Sequence, residues 1–228
     1  MQLHGIQRLD ILAMRSHCQD RGQKGHDDVP KRVDPDERRA AIAEAVYQVI
    51  GDRGWDAVTL RDVASTAVVS MGQVQHYFAT KTDMLLFALT HMRARVLTRL
   101  QQQLETLPQP VSLRDQIRAT IGVMLPVDEP GRQEAAVNIA FFSAATVTPE
   151  YARLLHDGYT RQLGFGRARF AAAAADGLLN DNIDPAKEAD ALYFLVQGLI
   201  GPVLIGLLTP EEATAILDHQ LTRIFRKT

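Results

Sequence analysis

The chain has 228 residues, a net charge of −2 and one cysteine, Cys18. This length is enough for one large domain or two small ones, and a single cysteine excludes an intrachain disulfide and suits a reducing cytoplasm. The longest apolar runs are too short to span a bilayer, and the near-neutral charge argues against a generic binder of polyanions. The chain has few aromatic residues and many Ala, Leu and Val, a mixture that favours helices over sheets.

Residues 1–33 are polar and carry six bases and four acids. We expect a mobile N-terminal arm there. In an alternative reading the arm reaches a DNA groove through Arg21, Lys24, Lys31 or Arg32.

Capping signals divide the rest of the chain into helices. Thr59, Ser70, Thr80 and Ser112 each stand three residues before Asp or Gln, and four other caps precede a proline. The apolar residues between these points have helical spacing, and no stretch alternates as a strand would. The pattern predicts an all-α protein of about nine helices, near residues 35–53, 60–67, 71–78, 81–105, 113–126, 131–147, 150–177, 185–207 and 210–226.

Three short helices followed by a long one form the first predicted domain, residues 34–96. Gly54 ends the first helix, and the second and third are separated by a tight turn, so residues 59–78 predict a helix-turn-helix motif. Residues 113–226 are too apolar and too long merely to brace these helices. We therefore expect residues 97–228 to form a helical domain for regulation and dimerisation.

The motif resembles the tetracycline-repressor (TetR) family of bacterial transcriptional regulators. The resemblance rests on many residues at fixed spacing: Ala45, Gly54-Trp55, Thr59-Leu60, Val63-Ala64, Ala67, Val69-Ser70, Gly72, Tyr77-Phe78, Lys81 and Leu85-Leu86. A weaker similarity to the BetI-type branch rests on residues of the second domain: Met124-Leu125-Pro126, Asp128-Glu129, Glu134, Ala140-Phe141 and Tyr159. The resemblance implies an all-helical regulator that binds operator DNA.

The third helix is the predicted recognition helix. Gln73 and Gln75 carry amides that can pair with adenine in the major groove, and Met71 and Val74 can contact a thymine methyl, although Val74 could instead join the core. The resemblance implies that Tyr77 and Lys81 contact the DNA backbone. The full set of expected DNA-binding residues is Thr59, Ser70, Met71, Gln73, Val74, Gln75, His76, Tyr77, Thr80 and Lys81.

Two residues depart from the family pattern, which has glycine at position 68 and tyrosine at position 75. Here these positions hold Val68 and Gln75. A left-handed conformation at Val68 costs about 1–2 kcal/mol, unless the turn avoids it. Gln75 removes an aromatic ring and adds an amide, which shifts the operator sequence rather than the mode of binding.

The second domain is expected to bind an effector and a second copy of the chain. Candidate pocket residues are Ile121, Met124, Asn138, Phe141, Phe142, Tyr159 and Phe194, with Ser143 as a further polar group. Since these include few charges, we expect a neutral or largely apolar effector. Candidate dimer-interface residues are Leu192, Leu195, Leu199, Val203, Ile216, Leu217 and Leu221; the resemblance implies that the last two helices form the dimer's four-helix bundle. Pro202 predicts a break between Gly198 and Pro202.

We therefore expect a cytoplasmic, homodimeric repressor that binds a palindromic operator and is released by a small molecule, through movement of helix 81–105. We expect no cofactor, metal site, catalytic residue or membrane contact, because nucleophile, phosphate-loop and metal motifs are absent. Alternatives are a family member that activates or has no small ligand, a helical protein-interaction module that does not read DNA, and, with least support, an enzyme.

Overall fold

The computed structural model describes residues 34–226, and the expectations for the N-terminal arm lie outside these residues. The described chain forms nine α-helices and a short 3₁₀ helix, Trp55–Ala57. The helices are α1 Pro35–Arg53, α2 Leu60–Thr66, α3 Met71–Tyr77, α4 Lys81–Glu105, α5 Leu113–Met124, α6 Glu129–Ala145, α7 Pro149–Ala175, α8 Pro185–Leu204 and α9 Pro210–Ile224. The all-α prediction is confirmed, and the described residues contain one isolated antiparallel bridge, Leu179 to Phe225, but no sheet.

Most helices begin where the predicted caps place them. Asp184 accepts hydrogen bonds from the backbone of Ala186 and Lys187 at the start of α8, and Thr209 and Glu212 form a reciprocal capping box at the start of α9. Helix α6 begins two residues earlier than predicted, because Asp128 caps it and accepts a hydrogen bond from the Gly131 amide. These bonds satisfy amide groups that a helix leaves unpaired in its first turn.

The break predicted between Gly198 and Pro202 is wrong. Helix α8 continues through Pro202 to Leu204. Pro202 is close enough to the end of α8 that only the last turn follows it, and the chain leaves the helix at Gly206, whose φ is +74°. The amides of Gly206 and Leu207 bond to the carbonyls of Val203 and Pro202, which closes the helix as a Schellman motif.

The first apolar core joins the three short helices to their neighbours. It contains buried side chains of α1 to α4, together with Val137 and Phe141 from α6 and Tyr151 and Leu155 from α7. Trp55 packs edge-on against Phe141 and Tyr151, with ring centroids 4.9 and 5.7 Å apart. The helix-turn-helix region therefore shares its core with two helices that lie beyond the predicted boundary at residue 96.

The second core lies among the later helices. It is formed by α5, the end of α7, α8 and α9, and it includes Phe170, Leu192, Leu217 and Leu221. The segment after α7 and the end of α9 are tied by backbone bonds, from the Asn180 amide to Ile224 and from the Arg226 amide to Leu178, each 2.9 Å. The C-terminal helix is thereby held against this core.

Candidate DNA-binding site

Three N-terminal caps fix the helices around the recognition unit. The Thr59 hydroxyl accepts a 3.1 Å bond from the Asp62 amide at the start of α2. Ser70 and Gln73 form a reciprocal capping box at the start of α3, with two 3.1 Å bonds. Thr80 and Asp83 repeat this arrangement at the start of α4. The caps hold the three helix starts at the surface without help from a ligand.

The turn between α2 and α3 does adopt the left-handed conformation at Val68. Its φ is +54°, and its side chain is 90% exposed. The Val69 amide bonds to the Ala64 carbonyl and the Val68 amide bonds to the Ser65 carbonyl, the two bonds of a Schellman motif. A β-branched residue at this φ costs about 1–2 kcal/mol, and the exposed side chain gains no packing in return.

Two of the predicted base-reading residues of α3 are not available for the predicted base contacts. Val74 is fully buried and packs in the first core with Phe78, which confirms the alternative that it joins the core and excludes its contact with a thymine methyl. Gln73 is exposed, but its side-chain oxygen accepts the Ser70 amide. Bidentate pairing with adenine needs both the oxygen and the nitrogen of an amide. Gln73 is therefore a capping residue here, and its predicted adenine pairing is not available in this conformation.

The exposed face of α3 carries the remaining candidates. Met71, Gln75 and His76 are exposed, and His76 lies two residues from Val74, on the opposite side of the helix. The His76 ring stacks edge-on against Tyr77, whose own ring is half-buried against the first core. Gly72, one turn before His76, is also exposed, and it adds no side chain that would cover the backbone of this face. It is the face with the side chains that can enter a major groove.

Groups suited to phosphate contact lie beside this face. Thr59, Ser70, Thr80 and Lys81 are all exposed, and three of them cap helices whose first-turn amides attract an anion.

The sequence did not predict the position of Arg39, which lies next to the end of α3. Its guanidinium lies 4.6 Å from the centre of the Phe87 ring and 5.4 Å from that of Phe78, the residue that ends α3. No spacing in the sequence signals this contact, because it joins residues far apart in the chain.

An ionic and hydrogen-bonded network joins the DNA-binding helices to α4 and α6. The Tyr47 hydroxyl donates to the Ala88 carbonyl at 2.6 Å, and Arg95 bonds to Glu44 of α1. Arg99 donates to Glu134 of α6 at 2.5 Å. Glu134 is only 6% exposed, and this burial raises the pKa of its carboxyl although two arginines face it. The network links α1, α4 and α6.

The candidate pocket residues divide into two sets. Asn138, Phe142, Tyr159 and Phe194 lie near one another: Tyr159 is hydrogen-bonded to Asn138, and its ring centroid is 6.4 Å from that of Phe142. The other three do not join them, which corrects the predicted pocket. Phe141 is fully buried against Trp55 and Tyr151, whereas Ile121 and Met124 pack with the second core. Sequence spacing alone could not separate these two environments.

An open groove of about 430 Å³ lies elsewhere, between α4, α5, the segment that joins α5 to α6, and α9. Ile121 is the one predicted pocket residue that lines it. Its two arginines have carboxylate partners: Arg118 binds Asp218 through two bonds of 2.6 and 2.9 Å, and Arg99 binds Glu134. The charges of this groove are therefore already balanced within the chain.

The dimer-interface prediction is largely wrong in its residues. Five of the seven side chains are buried within this chain and offer little surface to a second copy: Leu192, Leu199, Val203, Leu217 and Leu221. They form the second core, because the apolar stripes of α8 and α9 face each other and α5. Leu195 is half-buried and Ile216 is 38% exposed. Their neighbours on the outer faces include Ala191, Gly198 and Ile205, the last 79% exposed.

The fold and the site define a helical DNA-binding regulator, with a helix-turn-helix unit on one region and a larger helical region beyond it. Comparison with protein families agrees. The family of bacterial regulatory proteins named tetR matches residues 42–87, and the C-terminal domain of BetI-type transcriptional repressors matches residues 113–226. The chain belongs to the TetR family of bacterial transcriptional regulators, and it is a ligand-responsive DNA-binding regulator.

Individual proteins give the same picture. The HTH-type transcriptional regulator PksA of Bacillus subtilis is 30% identical over 75% of this chain and 80% of its own length. The HTH-type transcriptional regulator BetI of Agrobacterium fabrum is 30% identical over 71% of this chain and 74% of its own. These relatives are transcriptional regulators rather than enzymes.

Solved structures match over most of both chains. A transcriptional regulator from Rhodococcus superposes with a TM-score of 0.70 at 27% identity, covering 84% of this chain and 96% of that one. A regulator from Saccharomonospora viridis in complex with choline superposes with a TM-score of 0.72 at 25% identity, covering 84% and 100%. Within residues 34–226, no helix has the length and apolar character needed to cross a membrane.

Proposed function

We propose that this chain is a one-component repressor that binds a palindromic operator as a homodimer in the cytoplasm and leaves it when a small organic molecule binds. The observation that carries the proposal is the exposed face of α3, where Gln75 and His76 stand clear of the core beside Lys81. Base-edge contacts are made by the first two, and Lys81 contacts phosphate.

The homodimer follows from the size of the recognition helix. Helix α3 has only seven residues and reads few bases, so two copies about one DNA turn apart are needed for a specific site. The dimer forms through the outer faces of α8 and α9, which carry Leu195, Gly198 and Ile216 at their surface. Small residues such as Gly198 allow helices of two copies to approach closely.

Release follows from the position of α4. This helix begins at Lys81, beside the DNA, and continues to Arg99, which bonds to α6. A small molecule that prefers one arrangement of α4 shifts the population of DNA-competent dimers by its difference in affinity for the two states. The regulator from Saccharomonospora viridis forms a complex with choline, which supports the expectation that a small molecule binds to this chain as well.

The test is a mobility-shift titration with the DNA upstream of the chain's own gene, at several salt concentrations. Lys81→Ala should weaken binding to every sequence and lower the salt dependence by about one counterion. Gln75→Ala should cost about 1–3 kcal/mol on the preferred operator and relax selectivity at one base pair.

Lys187→Ala is the matched control, because this lysine is exposed on α8 and pairs with Asp184. It should leave the shift unchanged. Failure of the wild-type chain to shift any DNA at low salt would overturn the proposal. Equal losses for Lys81→Ala and Gln75→Ala on all sequences would instead show that the assigned roles are wrong.

A further inference from the structure

Arg93, in the middle of α4, is a partly buried arginine without a carboxylate partner among residues 34–226. Its guanidinium lies against Gly158 of α7, so closely that a Cβ on Gly158 would be 2.5 and 2.6 Å from its terminal nitrogens. No aspartate or glutamate within residues 34–226 lies within ion-pair distance of it. By contrast, Arg95 and Arg99 on the same helix bind Glu44 and Glu134.

The surroundings of Arg93 make its charge costly. Burial lowers the pKa of the Arg93 guanidinium, and repulsion from Arg161 of α7 lowers it further. The other polar groups that face it are the hydroxyls of Tyr159 and Tyr193, which are neutral because burial raises the pKa of each. A buried cation normally has a paired anion, so this local excess of positive charge calls for one.

Aromatic rings surround the same position. Four side chains from α6, α7 and α8 form a row, in which the successive ring centroids are 6.4, 6.1 and 5.5 Å apart: Phe142, Tyr159, Tyr193 and Phe194. The two tyrosines in the middle are those next to Arg93. The two phenylalanines at the ends are 55% and 58% exposed, and they offer apolar surface.

The polar groups in the row are already oriented. The Tyr193 hydroxyl donates to the Gln162 side chain at 2.6 Å, and Tyr159 is hydrogen-bonded to Asn138. Neither bond neutralises Arg93. The cluster therefore combines a fixed aromatic wall with donors in the guanidinium that have no acceptor in the described part of the chain.

We propose that this cluster is the anion-binding part of the effector site, and that the effector is an organic carboxylate with an apolar body. The inference rests on the proposed function. A carboxylate accepts two parallel hydrogen bonds from a guanidinium, and the exposed phenylalanines pack against the apolar body. This replaces the expectation of a neutral effector, which was drawn without Arg93. A quaternary ammonium such as choline would meet two arginines here and is disfavoured.

The experiment measures binding to the full-length protein without DNA, by calorimetry. The probes are phenylacetate and octanoate, their neutral amides phenylacetamide and octanamide, and choline. Each carboxylate should bind about tenfold or more tightly than its amide, since a hydrogen bond between two charged groups is stronger than one to a neutral acceptor. Choline should bind more weakly than either carboxylate.

Two variants locate the effect. Arg93→Gln should remove the preference for the carboxylates while leaving the binding of the amides unchanged. Gly158→Ala should do the same with Arg93 still present, because its methyl group displaces the flexible end of the arginine. Arg153→Gln, which changes an arginine that is 70% exposed on α7, is the matched control and should bind all five probes as the wild type does. Circular dichroism checks that each variant is folded.

Three results would overturn the inference: equal binding of carboxylates and amides to the wild type, tighter binding of choline, or an unchanged preference in Arg93→Gln. A fourth is a change in the oligomeric state of Arg93→Gln without a change in probe binding. That result would show that Arg93 pairs with a carboxylate of the second copy. Since probe binding and DNA binding are measured separately, a chain that shifts DNA but fails these tests loses only this inference. A chain that shifts no DNA loses the proposed function.

Discussion

The pair α2–α3 and the pair α8–α9 close their turns in the same way but with different residues. In both, the first helix ends in a Schellman motif and the second begins with a capping box. Gly206 takes the left-handed position after α8, and Gly177 does so after α7, whereas Val68 does so after α2. The same hydrogen bonds can therefore hold a β-branched residue at positive φ, and the strain that results lies at the DNA-binding surface.

The two pairs also differ in how their second helices are held. Val74 is the one buried residue within α3, and Phe78 follows it at the end of the helix. Helix α9 buries four residues: Ala213, Leu217, Leu221 and Ile224. The recognition helix thus depends on few contacts, and it leaves most of its surface free for DNA.

The largest expected effect tests that dependence. Phe78→Ala should lower the free energy of unfolding by about 3–5 kcal/mol, because it removes a buried ring that also packs with Phe87 and Arg39. The measurement is urea unfolding at one fixed protein concentration. Val147→Ala, at an 83% exposed position, is the control and should change it by less than about 0.5 kcal/mol. A loss below about 1 kcal/mol for Phe78→Ala would show that α3 is held by other contacts.

The second-largest effect is expected when valine, the residue at positive φ in the α2–α3 turn, replaces Gly206 in the α8–α9 turn. Gly206→Val should destabilise the chain by about 1–2 kcal/mol, since valine at a φ of +74° is strained although open space surrounds the position. For a chain of this size this lowers Tm by roughly 2–4 °C per kcal/mol. Gly164→Ala, in the middle of α7 with no neighbour near its Cβ, is the control. It should be neutral or stabilising. If Gly206→Val has the same Tm as the wild type, valine is not strained at this positive φ, and the same then holds for Val68.

The converse change is smaller. Val68→Gly should stabilise the chain by about 0.5–1 kcal/mol, because relief of the strain is partly offset by the greater freedom of glycine in the unfolded chain. Thermal unfolding measures this, and Val68→Ala should change Tm less, since alanine keeps the Cβ that causes the strain. A fall in Tm for Val68→Gly would mean that Val68 is not strained in solution.

The smallest expected effect concerns the first helix of each pair. Thr59 and Arg53 hold the pKa of Asp62 below its usual value, and Lys187 does so for Asp184 at the start of α8. A carboxyl with a lowered folded pKa stabilises the chain above its unfolded pKa, near 4, and loses this contribution as pH falls through the folded value.

Asp62→Asn and Asp184→Asn should therefore each lower Tm slightly at pH 7, and this difference from the wild type should shrink below pH 4. Thermal unfolding at the two pH values gives the comparison. Both carboxyls are at the surface, so the two variants should differ from the wild type in Tm by similar amounts. A difference that grows as the pH falls would contradict the assigned sign.

Local signals in the sequence predicted most of the fold. Caps such as Ser70 with Gln73 act within four residues, so they gave the starts of most helices to the residue. Helix ends and the 3₁₀ turn at Trp55 were less well predicted, because they depend on packing. Pro202 was misjudged for the same reason, since the end of α8 follows it within one turn.

The candidate sites were predicted less completely. Periodicity showed that α8 and α9 have apolar stripes, but it could not show that Leu217 faces α8 of the same chain rather than a second copy. The capping role of Gln73 was visible in the sequence, yet its exclusion of adenine pairing was not. The spacing of Arg93, Arg95 and Arg99 suggested a solvated face of α4, and it could not show that Arg93 lies against Gly158, because this contact joins helices that are distant in sequence.

Helix α4 contains both Lys81, at the recognition unit, and Arg93, at the aromatic cluster. At 1.5 Å per residue, Lys81 and Arg93 lie about 18 Å apart along one continuous rod. A tilt of about 3° around one end of a rod of that length moves the other end by about 1 Å. Because α4 is bonded to α1 through Tyr47 and Glu44, such a tilt also carries the first helix with it. In the proposed dimer, a tilt of this size in each copy changes the separation of the two recognition helices by about 1–2 Å without unfolding any helix.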